Sequence, residues 1–164
     1  MQRQFVELLE RDQNIIHKVT NLFVEDPNDR KDLFQEILFQ AWSSYPTFKS
    51  DAKFSTWLYR VALNTAINYY KKHKRKNNIP LIDDKLMQHH VQVDDADKEK
   101  VEILYQAINQ LSPFDKALIM LYIDNRDYQE IAAILGISMS YVGVKINRIK
   151  QFLRSEGNKY TLNS

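Results

Sequence analysis

The sequence predicts an all-α protein built as two small helical domains joined by a flexible linker, and three observations predict it. Only 3 Gly and 4 Pro occur in 164 residues, which leaves little turn chemistry for a many-stranded sheet and suits long helices with short connections. Apolar residues recur at helical spacing over two long blocks. Between those blocks, from residue 79 to about 98, the periodicity lapses and acidic residues accumulate. The predicted boundaries are 1–78 for the first domain, 79–101 for an acidic linker and 102–160 for the second.

Phe5, Leu8, Leu9, Ile15, Ile16, Val19 and Leu22 form one apolar stripe, so a single helix is expected from Phe5 to Val24. Pro27 and Asn28 break it, and Asp29 can cap a second helix running to about Trp42. Leu33, Phe34, Ile37, Leu38 and Ala41 make its apolar side; Asp32, Gln35, Glu36 and Gln40 lie on the other. A loop is expected over 43–53, marked by Pro46 and Ser50-Asp51. Ser55 or Thr56 then caps a third helix reaching about Lys76. The second block starts near Asp97, and Ser112-Pro113 has the cap-then-proline form of a helix start. The tail from Gly157 onward is expected to fray.

The net charge of +2 conceals a segregated pattern. Residues 52–82 contain no Asp or Glu but carry Lys53, Arg60, Lys71, Lys72, Lys74, Arg75 and Lys76. Asp83, Asp84, Asp94, Asp95, Asp97 and Glu99 follow. Such a basic block is either a phosphate-binding surface or a solvated helix end. Neighbouring aromatics favour single-stranded nucleic acid, because bases stack on rings: Phe48, Phe54, Trp57, Tyr59, Tyr69 and Tyr70. Many of these rings must also serve as core.

The strongest local motif is a helix-turn-helix from Tyr128 to Leu153, YQEIAAILGISMSYVGVKINRIKQFL. Ala132 is small where the second helix crosses close to the first. Gly136 can take the positive φ of the tight turn. Val142 points back into the angle, Ile131, Leu135 and Ile137 complete a small core, and Ser138 caps the second helix. That helix buries Val142, Ile146, Ile149 and Leu153 and turns Ser140, Val144, Asn147, Arg148 and Gln151 outward, with Tyr141 and Lys145 flanking. One buried face and one short polar-basic face is the geometry of a major-groove reader.

Tyr128–Leu153, with AINQLSPFDKALIMLYIDNRDYQEIA leading into it, resembles region 4 of the extracytoplasmic-function sigma factors. DRKDLFQEILFQAW and YPTFKSDAKFSTWLYRVALNTAINYYKKHKRK resemble region 2. The two blocks stand in the family's order and cover nearly the whole chain. The resemblance implies a bacterial transcription-initiation factor and not an enzyme. Region 2 would bind the β′ clamp helices of core RNA polymerase through Asp32, Gln35 and Glu36. Arg60, Asn64, Asn68, Lys71 and Lys72 would meet the minus-10 element as a single strand. Region 4 would bind the β flap and read the minus-35 element as duplex through Ser140, Tyr141, Val144, Lys145 and Arg148. An anti-sigma partner and a cytoplasmic location are expected. Two positions depart from the pattern: Gly143 stands where Lys is frequent, and Asn68 where Asp is frequent.

A stand-alone helix-turn-helix regulator, dimeric on duplex DNA, is the alternative; it explains residues 102–154 and leaves the first block without a role. Other classes fare worse. The chain has no Cys, so it holds neither disulfides nor thiolate metal sites. No apolar run reaches membrane-spanning length, so no stable membrane insertion is expected. His89-His90 near Asp94-Asp95 lie in an expected loop without metal-ligand spacing. His17 and His73 are isolated, and no nucleophile–base set or phosphate loop occurs. Catalytic residues, metal and cofactors are therefore all expected to be none.

Overall fold

The structure, a computed structural model, describes residues 2–77 and 95–162, with side chains over 2–73 and 97–159. The His89-His90 pair and the larger part of the expected linker, 79–94, lie outside the described residues. The chain divides into two compact units, 1–81 and 82–164. Among the described residues the regular structure is entirely helical.

The first unit contains α1 (Gln2–Asp12), α2 (Asn14–Phe23), α3 (Pro27–Ser44), a 3-10 turn (Tyr45–Thr47) and α4 (Phe54–Asn77). The single helix expected from Phe5 to Val24 is two. Gln13 breaks it, its carbonyl accepting from Ile16 N–H at 3.0 Å and His17 N–H at 3.3 Å. The apolar stripe runs across this break, so periodicity alone does not register it. The cap of α3 is Asp26, not Asp29: its carboxylate accepts from the N–H groups of Asn28 (2.8 Å) and Asp29 (3.1 Å), with Pro27 in the first turn. This is the same cap-then-proline arrangement as Ser112-Pro113. Arg30 Nε fastens the connection by donating to Val24 O at 2.6 Å. Helix α4 begins at Phe54, which places Ser55 and Thr56 inside its first turn rather than at its cap.

Helices α2 and α3 both pack on α4. Ile15, Ile16, Val19 and Phe23 from α2, Leu33, Ile37 and Ala41 from α3, and Leu58, Ala62, Leu63 and Ala66 from α4 are buried. Ala62 and Ala66, small and four residues apart, let the other helices approach α4 closely.

The second unit contains α5 (Asp95–Asn109), α6 (Pro113–Ile123), α7 (Tyr128–Leu135) and α8 (Met139–Leu162). Helix α5 begins inside the stretch expected to be linker. Helix α8 runs through Gly157 to Leu162, where fraying was expected. Helices α5, α6 and α7 all contact α8. Ala107, Ile108, Ala117, Leu118, Leu121, Ile131, Ile134, Val142, Ile146 and Ile149 are buried. Ser112 Oγ accepts from Asp115 N–H at 3.2 Å, and Asp127 Oδ1 from Glu130 N–H at 2.8 Å, so both helix starts are capped by the preceding side chain. Asn125, at φ 60°, closes α6 in the left-handed conformation that Asn tolerates. Arg126 then spans the turn, pairing with Glu130 at 2.8 Å and Asp124 at 3.4 Å. No helix among the described residues is long and apolar enough to cross a membrane.

Candidate nucleic-acid interface

Helix α4 is divided lengthwise. Opposite its buried side, Arg60, Asn64, Asn68, Lys71 and Lys72 are all exposed, at successive spacings of one helical turn. At 1.5 Å per residue the row from 60 to 72 is about 18 Å long. No carboxylate interrupts it within α4. Cations at its ends suit phosphates, and the two amides between them can donate to and accept from a base edge.

Several of the neighbouring aromatics serve as core, as the sequence reading required. Phe54 and Tyr59 are buried and unavailable for stacking on bases. Phe54, Phe48 and Trp57 pack on one another at 5.4–5.7 Å between ring centroids, with Tyr45 and Phe5 alongside. These rings are spent on the corner between α3 and α4. Tyr69 stacks on His73 at 4.0 Å. Its pKa is raised, first by burial and then by the charges of Asp29, Asp32 and Asp26; Tyr70 is raised by burial.

Helix α3 exposes Asp32, Gln35 and Glu36 on the side away from Leu33, Ile37 and Ala41. Gln40 Nε2 donates to Glu36 Oε1 at 3.1 Å. In the middle of this polar side stands Phe39, 62% exposed, with Trp42 nearby on the wheel at 45%. Phe39 is the functional candidate missed in the sequence. The available signal was its position three and four residues beyond Glu36 and Gln35, where a solvated helix face has no use for a large apolar ring.

In the second unit, Gly136 has φ 70° and ψ 37°, the left-handed value the tight turn requires. The N–H groups of Gly136 and Ile137 both reach Ala132 O, at 2.9 and 3.1 Å. Ser138 Oγ accepts from Tyr141 N–H at 3.1 Å, capping α8 as expected. Val142 is fully buried between the helices. The small core differs from the expected one: Ile131 and Ile134 are buried, while Leu135 and Ile137 are half-buried. Along α8, Ser140, Tyr141, Val144 and Arg148 are exposed together, with Met139 before them. Lys145 stands apart, its Nζ 3.0 Å from Asp115 Oδ1. Among the described residues no group of carboxylates and imidazoles could hold a metal.

These two surfaces, a polar-basic row on a long helix and the exposed side of a capped helix-turn-helix, have the form of a helical nucleic-acid-binding protein. The family model for sigma-70 region 2 matches residues 8–76, and that for sigma-70 region 4 matches residues 101–153. The chain therefore belongs to the sigma-70 family, and within it to the extracytoplasmic-function sigma factors, which direct RNA polymerase in transcription initiation and are not enzymes. It is 28% identical to the ECF RNA polymerase sigma-E factor of Haemophilus influenzae, over 94% of this chain and 87% of that one. It is 26% identical to the RNA polymerase sigma factor SigV of Bacillus subtilis, over 85% and 82%. The fold is similar to that of the sigma factor RpoE solved in complex with the anti-sigma factor NepR from Bartonella quintana. That likeness has a TM-score of 0.74 and 20% identity, covering 95% of this chain and 97% of that one. CnrH, solved with the cytosolic domain of CnrY, is similar at a TM-score of 0.67 and 22% identity, over 94% and 88%.

Proposed function

We propose a division of labour within this sigma factor. The α3 face of Asp32, Gln35 and Glu36 binds the β′ clamp helices of core polymerase, with Phe39 as its apolar centre. The α4 row of Arg60, Asn64, Asn68, Lys71 and Lys72 holds the minus-10 element as a single strand. Ser140, Tyr141, Val144 and Arg148 on α8 address the minus-35 duplex, with Lys145 beside them on the same helix, and the same unit makes a β flap contact. The observation that carries this reading is the uninterrupted α4 row. It places cations and amides on one side of a helix whose other side is fully used as core. A stand-alone regulator of duplex DNA would need only the second unit and would leave that row idle.

Phosphate neutralisation by the row releases counterions and makes strand capture salt-sensitive. The exposed amides can then hold an unstacked base by its edge. The work is done beside polymerase, in the cytoplasm. The solved relatives seated on anti-sigma factors support an inhibitory protein partner for this chain as well.

The test is transcription reconstituted with core polymerase. Wild type gives promoter-dependent transcripts, and Lys71→Glu/Lys72→Glu still joins core polymerase but loses strand opening, read by permanganate footprinting. Unchanged opening in the double variant would remove α4 from the DNA.

A further inference from the structure

Lys145 differs from its neighbours on α8 in being tied to another helix. Its Nζ stands 3.0 Å from Oδ1 of Asp115 in the first turn of α6, and the two side chains are only 22% and 19% exposed. Oδ1 of Asp115 is buried and makes no aligned hydrogen bond, so the lysine charge alone compensates it there. The backbone of Asp115 is anchored at the start of α6, its N–H donating to Ser112 Oγ at 3.2 Å. The ammonium also lies over the ring of Tyr141, one turn earlier on α8, at 6.0 Å from the ring centroid.

We propose that Asp115 is a positioning residue that withholds Lys145 from DNA phosphates, so that α8 binds duplex with less sequence-independent attraction than its composition suggests. The proposal rests on the reading of α8 as the duplex-binding helix. An exposed lysine gains by exchanging its counterion for a phosphate. Lys145 would first have to leave a largely covered carboxylate, stranding a buried oxygen without compensation, and breaking such a pair costs far more than parting two solvated ions. Lys145 therefore stays with Asp115. Discrimination is left to Ser140, Tyr141 and Val144, and general attraction to Arg148. Asp115, which touches no DNA, thereby sets the ratio of specific to non-specific binding.

The experiment measures binding of the full chain to a labelled duplex of randomised sequence across a salt series. It compares wild type, Asp115→Asn, Asp115→Asn/Lys145→Gln and Arg148→Ala. Released from its carboxylate, Lys145 in Asp115→Asn should steepen the salt slope by about one unit and tighten random-sequence binding about tenfold near 0.1 M salt. The double variant should return to the wild-type slope. If wild type already matches Asp115→Asn and exceeds the double variant by about one unit, Lys145 reaches phosphate with Asp115 in place and the proposal is overturned. A weaker Asp115→Asn with an unchanged slope would make the pair a fold contact only, which also overturns it. If wild type, Arg148→Ala and Asp115→Asn all bind with equal affinity and equal salt slope, the assignment of α8 to duplex DNA fails, and the proposal falls with it.

Discussion

Gly143 shows how one residue's context decides its cost. A glycine inside a helix is less favourable than alanine by up to about 1 kcal/mol. A Cβ at this position would meet the Tyr128 ring at 3.5 and 4.0 Å, which is ordinary contact. Gly143→Ala should therefore stabilise the second unit by about 0.5–1 kcal/mol, a rise of a few degrees in Tm. A Tm that stays level or falls in circular dichroism would show that α8 needs to bend here. Asp32 and Glu36 are the opposite case, exposed and free of any role in the core. Asp32→Ala/Glu36→Ala should leave helicity intact and weaken core-polymerase binding by about tenfold or more. Normal binding by the folded variant would remove the α3 face from the polymerase contact.

Helices carry effects that no single residue does. The carboxylates of Asp29, Asp32 and Asp26 act together on Tyr69, one helix away, on top of its burial. Because both influences raise the tyrosine's pKa, the unfolded chain ionises first as pH climbs. The fold thus loses stability only above the ordinary tyrosine value of about 10, and gains nothing below it. Asp29→Asn/Asp32→Asn should lower the pKa of Tyr69 without restoring the ordinary value, since burial remains. Phenolate absorbance, with Tyr69→Phe identifying the signal, checks this; an unmoved titration would separate the acidic end of α3 from α4. Helix starts were legible in the sequence where a capping side chain stood alone, as at Ser112 and Ser138. They were misread where two candidates competed, because Asp26 and Asp29 both suit a cap and only the proline between them decides. The break at Gln13 was not legible, since the apolar spacing continues across it. Phe39 escaped for a related reason: a helical pattern records where apolar residues recur, and a single ring on the wrong side adds nothing to that record.

Across the whole chain, the division into two helical units followed from composition and from the lapse of periodicity, because each unit buries its own apolar side. The exposed rows on α4 and α8 were legible for the same reason: once a helix's buried side is known, its exposed side is known too. What the sequence could not give was which exposed cation is already engaged. Lys145 looks like Lys71 on paper, and only the packing of α6 against α8 brings a carboxylate to it. The aromatic corner of the first unit has a consequence of a different kind. The protein's two tryptophans, Trp42 and Trp57, both belong to that corner, Trp42 against Phe5 at 5.3 Å and Trp57 against Phe54 at 5.4 Å. The second unit has none. Indole emission is therefore a native optical label for one half of the molecule. In a denaturant titration it follows the loss of the first unit alone, while ellipticity follows both, so any gap between the two curves measures directly how independently the halves melt.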